Sequence, residues 1–344
     1  RNNKAARWLT IQFKTQYIDQ AGEVQTDTEI NSIDYQLFNG YLKYTDELII
    51  FNNDFGFNLT NFNLSSPSDR FLTNAPATQY ANLEDYGTLA YLAPTDALSY
   101  IQLIYFNSAG VQIGTEDVDR ISANGAYNVY NTKITKRLLY FGCFPANLQN
   151  WSSTFQALVA AETINGGSIQ VRAFDVGNTA ISKTYTINVN CPNLKGYESI
   201  RLCWLNQWGA WDYYTFTQRS VRSISTTGST YEQLAGTWNE ATYRLDSYKG
   251  GKKAFRVNAT EKITMNSDFV SESENVMFEE LTNSPELYIL EGYQTDASFS
   301  ALTQYVKPVR LITSSFTKKT IANDKLIQYT FEVEKSKTLR TQSV

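Results

Sequence analysis

Short segments in which apolar and polar residues alternate, each bounded by turn-forming residues, recur along nearly the whole chain. In residues 8–17, Leu9, Ile11 and Phe13 alternate with polar neighbours, the period-two pattern of a strand with one buried face. Leu98–Phe106 and Val111–Ile113 flank Asn107-Ser108-Ala109-Gly110, and Ile169–Phe174 and Ile181–Val189 flank Asp175-Val176-Gly177-Asn178. Both sets predict hairpins, because Asn, Asp and Gly tolerate the backbone angles of tight reversals. Ala126–Tyr130 and Thr135–Phe141 are further strand candidates. Ile200–Leu205 and Trp211–Thr217 enclose a turn at Gly209, and Leu234–Trp238, Tyr243–Tyr248, Ala254–Met265, Glu286–Leu290, Val309–Ser314 and Leu326–Glu334 follow. The spacing predicts an all-β fold of two or more β-sandwich-like, mostly antiparallel domains. The 23 Tyr and 19 Phe fit such a fold, since aromatic side chains suit pleated, half-buried surfaces.

Two segments depart from the strand pattern. In Ser271–Thr282, Ser271 and Glu274 fit a capping box, and Val276, Met277, Phe278 and Leu281 supply an apolar face, predicting one short helix in the C-terminal domain. The Ala-rich stretch Phe155–Thr163 predicts a second helical piece. A length of 344 residues suggests two domains, at roughly 100–200 residues each. Asn190-Cys191-Pro192-Asn193 interrupts the strands, since proline cannot donate to a ladder. The expected division is therefore 1–192, as one β-sandwich region or two divided near 90–95, then 193–336 with the helix, and 337–344 as a polar tail or linker. Residues 51–78 read as a long surface excursion, a contact loop for other chains, with turn chemistry at Asn52-Asn53-Asp54 and Ser65–Asp69. No fixed-period repeat is present.

The chain has no histidine, which removes Ser-His-Asp and Cys-His catalysis and every His-ligated metal site. Lys and Arg number 30 against 34 Asp and Glu, for a net charge of -4. No basic field exists for phosphate neutralisation, so nucleic acid is not an expected partner. The densest basic spot, Lys249-Gly250-Gly251-Lys252-Lys253, reads as a hairpin turn. No apolar run approaches the roughly 18 residues of a membrane helix, and no membrane partner is expected. Cys143, Cys191 and Cys203 are odd in number and form no CxxC, predicting buried thiols and no zinc. Cys191 and Cys203 could pair if the segment between them folds back. No phosphate-binding or dinucleotide motif appears, so no cofactor is expected. The start at Arg1, without a signal pattern, suggests a processed or incomplete chain. The glycosylation sequons at Asn58, Asn63, Asn150 and Asn258 are expected by chance in a chain rich in Asn and Thr.

Acidic residues are the remaining candidates for acid–base work. Glu116, Asp117 and Asp119 form the tightest group, and Asp212, Glu232 and Glu240 lie near tryptophans. A glycosidase needs two carboxylates facing each other, and none of these sits in a recognisable pattern. Asp117 and Asp119 lack the loop grammar of a calcium site. The expectation is a protein that is not an enzyme.

Four of the six tryptophans fall between Trp204 and Trp238. Trp204, Trp208, Trp211, Tyr213, Tyr214 and Trp238 could stack sugar rings or bases, or could fill a small β-domain core and an interface with another subunit. Core and interface are favoured, because aromatic pairs commonly hold hairpins together. Along the returning strand Trp211 and Tyr213 point to one face, Asp212 and Tyr214 to the other, so that one face can fill the core while the other meets a neighbour.

The run Ile200-Arg201-Leu202-Cys203-Trp204-Leu205-Asn206-Gln207-Trp208-Gly209-Ala210-Trp211-Asp212-Tyr213-Tyr214-Thr215-Phe216 resembles a hairpin of uncharacterised virion structural proteins from tailed bacteriophages, with Phe216 one position earlier than in their spacing. An acidic helix followed by Leu281–Tyr288, Val309–Thr313 and Leu326–Glu334 extends the resemblance over the C-terminal two-fifths of the chain. It implies a non-enzymatic structural protein of the virion, in the tail, baseplate, collar or head fibre, assembled in the host cytoplasm. The implied partners are copies of the chain and other virion proteins. The alternative is a receptor- or carbohydrate-binding module on a phage or bacterial surface, with a host glycan as ligand. No catalytic residues come with the resemblance.

Overall fold

The computed structural model describes residues 6–9, 11–27, 30–31, 35–38, 50–51, 54–55, 64–93, 98–119, 137–190, 196–237, 240–246, 248–291, 305–320, 326–337 and 339–343. The fold is mostly β, with 44% strand and 12% helix. That is far below the roughly 30–35% helix of an average globular domain, and the all-β expectation holds. The chain divides into two compact units. Unit 1 is Arg1–Pro192 with Leu205–Asp212, and unit 2 is Asn193–Trp204 with Tyr213–Val344.

Unit 1 opens with eight short strands, β1 (Ala6–Leu9), β2 (Gln12–Phe13), β3 (Gln16–Ile18), β4 (Val24–Thr26), β5 (Ile30–Asn31), β6 (Tyr35–Phe38), β7 (Ile50–Phe51) and β8 (Asp54–Phe55), which form two-stranded antiparallel pairs. Its main sheet runs in the order β12 (Gln112–Asp119), β11 (Tyr100–Phe106), β14 (Ser168–Phe174), β15 (Tyr185–Val189) and β9 (Thr78–Ala81), antiparallel except for β15 beside β9. Burial alternates along β11, β14 and β15. Ile101, Leu103 and Tyr105 join Ile169, Val171 and Ala173 on the inner face. That face meets a second pair, β10 (Leu89–Ala93) with β13 (Arg137–Phe141), through Leu89, Tyr91 and Phe141.

Two helices cover the same core. α1 (Pro145–Trp151) starts on a proline, whose missing N–H is no loss at a first turn. α2 (Ser153–Ala160) is capped by Ser152, whose Oγ accepts from the Phe155 N–H at 2.9 Å. α2 occupies the expected Ala-rich segment two residues early. α1 was not expected.

Unit 2 is built on one sheet in the order β17 (Trp211–Phe216), β16 (Ile200–Leu205), β20 (Leu287–Leu290), β21 (Val306–Leu311), β22 (Thr330–Lys335), β19 (Gly251–Asn266) and β18 (Val221–Gln233), with β23 (Leu339–Ser343) also on β19. Within it β16–β20, β20–β21, β21–β22, β22–β19, β19–β18 and β19–β23 all pair antiparallel. α3 (Asn275–Asn283) follows a 3-10 turn at Glu272–Glu274, and the Glu274 carboxylate accepts from the Ser271 N–H at 2.6 Å, as the capping box predicts. Met277, Phe278 and Leu281 are buried, but Val276 is exposed. At about 100° per residue it falls on the far side of the helix from them. Phe278 packs among Tyr214, Phe216, Tyr329 and Phe331 at ring separations of 4.9–6.5 Å.

Several expectations need correction. β18 was not foreseen at all. Leu234–Tyr248 contains no strand among the described residues; Thr237 instead organises a turn, its Oγ1 donating to the Thr242 carbonyl at 3.0 Å and accepting from the Arg244 N–H at 2.8 Å. Residues 339–343 are not a free tail, since β23 pairs with Arg256–Ala259 of β19. Ala126–Tyr130 lies outside the described residues.

Candidate functional site

The turn joining β16 to β17 is counted with unit 1. Asn206 organises it. Its Oδ1 accepts from the N–H groups of Trp208 and Ala210, both at 3.0 Å, and its Nδ2 donates to the Leu72 carbonyl at 2.9 Å. Gly209 sits at φ +73°, where a side chain would strain the backbone. Trp208 and Ala210 pack on Leu72, Ala90 and Leu92. Strand β10 is therefore sealed on both sides within unit 1, with Leu89 and Tyr91 toward the main core and Ala90 and Leu92 toward the Trp208 cluster.

Asp212 closes this arrangement. Its Oδ1 accepts from Thr73 Oγ1 at 2.5 Å, and Oδ2, also buried, has no hydrogen-bond partner among the described residues. Burial pushes its pKa up to about 6, with the Thr73 hydrogen bond pulling the other way. The segment around Thr73 was expected to be a surface excursion. From Leu64 onward it is mixed: Ser65, Pro67, Ser68 and Arg70 are exposed, whereas Leu64, Phe71 and Leu72 are buried, and Asp69 Oδ2 gathers the N–H groups of Ser65 and Ser66 at 2.8 and 2.7 Å. Phe71 packs edge-on to Tyr91 and Tyr185.

The aromatic candidates do not form an exposed platform. Trp204 is fully buried, and in unit 2 every residue of β16 up to it is enclosed. Trp208 is buried in the unit 1 cluster, while Trp211, Tyr213 and Tyr214 are half-buried. Arg201 lies over the Tyr213 ring at 5.3 Å and donates to Thr215 Oγ1 at 2.8 Å. On the return strand Trp211 and Tyr213, expected on one face, are half-buried, and Asp212, expected on the other, is buried. Trp238 lies outside the described residues.

Two of the acidic candidates are held by neighbouring side chains. Glu116 Oε2 accepts from Ser152 Oγ at 2.5 Å and Tyr105 OH at 3.1 Å, and Asp117 accepts from Gln102 at 2.8 Å. Among the described residues, no three Cys, Asp or Glu side chains are grouped to hold a metal ion. No helix among them is long and apolar enough to cross a membrane. Cys143 and Cys203 are buried free thiols, each pushed up to about 12 by burial; Cys191 lies outside the described residues.

The exposed surface worth attention is instead the arm of unit 2 made by β18 and the first half of β19. Every β18 residue from Val221 to Glu232 is exposed. Ile224, Tyr248 and Phe255 present apolar surface there, at 66%, 72% and 55% exposure. The base of the arm is tied by Arg222, which donates to Glu198 and to Glu261 Oε1 at 2.9 Å, while Lys335 reaches Glu261 Oε2 at 3.0 Å. Ala254–Met265 of β19 was expected as a strand, but no sequence signal marked β18, because Ser, Thr and Gly dominate it and no apolar alternation shows. Compared with known proteins, the chain matches no family model and no curated protein sequence.

Proposed function

We propose that the chain is a non-enzymatic structural protein of a tailed-phage virion, assembled with copies of itself and with other particle proteins. The observation that carries this reading is the β18–β19 arm. A strand of 13 residues reaches about 43 Å, and among the described residues no strand pairs with its outer edge. An arm of this length, exposed throughout β18 and dotted with Ile224, Tyr248 and Phe255, suits a protein whose neighbours cover it. The interior placement of Trp204 and Trp208 also weighs against a glycan platform at the hairpin.

Peptide mass spectrometry of purified particles from the producing culture tests the proposal. Peptides of this chain are expected in fixed ratio to those of the other particle proteins, and their absence would overturn it. A receptor- or carbohydrate-binding role is the second reading, favoured by the exposed Tyr248 beside Lys249, whose Nζ lies 5.5 Å from the Tyr248 ring centre. Specific glycan-array binding lost in Tyr248→Ala would make it the better one.

A further inference from the structure

We propose that a second copy of this chain docks on the outer edge of β18, strand against strand and antiparallel, about a two-fold axis through Thr227. This deepens the particle reading by naming a partner and the surface it uses, and rests on that reading for its setting.

β18 ends the sheet of unit 2, and among the described residues no strand pairs with its outer edge. The edge carries a row of backbone donors and acceptors, a template for another strand. Natural edges are commonly blocked by lysine, proline or a bulge. β18 contains neither lysine nor proline. The one register irregularity lies opposite it, where Ser229 faces Arg256 and Thr230 faces Ala254, so the extra residue is Phe255 of β19. β18 itself therefore runs unbroken.

The sequence of β18 selects the occupant. Its two charges, Arg222 and Glu232, stand five residues on either side of Thr227. An antiparallel copy centred there sets Arg222 of each chain opposite Glu232 of the other, on the same face of the extended sheet because the side-chain period is two. Ile224 then meets Thr230, Ser225 meets Ser229, and no like charges face each other. A parallel copy in register would set Arg222 on Arg222. Arg222 is already held in place by Glu198 and Glu261, whereas Glu232, which faces Lys252 across the ladder to β19, makes no ion pair among the described residues. Pairing would thus set Glu232 between Lys252 of its own chain and Arg222 of the partner copy, and cover Ile224, which is exposed in the single chain.

Cysteine cross-linking of the full chain tests the register. In a Cys191→Ser background, Thr227→Cys places the two thiols beside each other on the axis, while Ser223→Cys places them far apart at opposite ends of the pair. Both positions are exposed, and circular dichroism verifies that each variant is folded. Mild oxidation is expected to give a disulfide dimer for Thr227→Cys and monomer for Ser223→Cys. The wild-type chain is expected to show a dimer mass by light scattering, with Glu232→Arg weakening dimerisation about tenfold through two like-charge contacts. A folded wild-type chain that stays monomeric at its highest soluble concentration, or equal cross-linking at both positions, would overturn the proposal. Finding the chain in particles without the cross-link would sink this pairing and leave the particle reading standing; the cross-link without the chain in particles would do the reverse.

Discussion

Asp212 is a carboxyl group enclosed by protein, bonded through one oxygen to Thr73. Its folded pKa of about 6 lies above the unfolded value of about 3.9. The folded chain therefore holds a proton that the unfolded chain releases, and stability falls as pH rises between the two values. Asp212→Asn keeps an acceptor for Thr73 and removes the titration. Urea unfolding should show wild type losing on the order of 3 kcal/mol relative to the variant between about pH 4 and pH 7; a pH-independent difference would contradict this. Cys143 and Cys203, with thiols pushed up to about 12 by burial, should resist a thiol reagent at pH 8 and react on unfolding. Burial of the two thiols could be read from the sequence, since free cysteine behaves as a small hydrophobe. The role of Asp212 could not, because its partner Thr73 lies 139 residues away.

At the scale of elements, strands were legible where one face is buried. Ile101, Leu103 and Tyr105 alternate with half-buried neighbours, and so do Ile169, Val171 and Ala173. β18 was illegible because neither of its faces is buried, and a strand without a core face leaves no period in the sequence. α1 was illegible because its start is set by packing of Phe144 and Leu148 rather than by a helical pattern. Two predictions belong here. Limited trypsin digestion should cut first at Lys252 or Lys253, near the end of the exposed arm, and the nicked chain should keep its far-ultraviolet circular dichroism. Gly167, just before β14, has the carbonyl of Phe106 where a Cβ would sit, 2.0 Å away. Gly167→Ala must therefore push two backbone segments apart, and should destabilise unit 1 by roughly 2–4 kcal/mol in a denaturant melt.

At the scale of the whole chain, the units are compact but not contiguous. Unit 1 takes its last eight residues, Leu205–Asp212, from beyond the first residues of unit 2. A sequence break at Pro192 marks where the chain turns to a new unit, yet nothing local reveals that a later hairpin contributes Trp208 to the earlier one; that is a long-range packing fact. A chain ending at Pro192 should accordingly leave Leu72, Ala90 and Leu92 uncovered. It should bind a hydrophobic dye such as ANS and unfold at lower urea than unit 1 in the intact chain, whereas equal stability would show that the Trp208 cluster contributes nothing.

The same crossing sets an order of events on the ribosome. Unit 1 cannot close when its first 192 residues have emerged, because 20 more must follow before Asp212 reaches Thr73. At about 5–20 residues per second, the nascent chain spends one to four seconds with the outer face of β10 bare. In that interval the apolar stripe of Leu72, Ala90 and Leu92 is open to chaperones and to neighbouring nascent chains on the same messenger. Slower translation lengthens the interval, so codon choice between residues 193 and 212 should govern how much of the protein is recovered soluble.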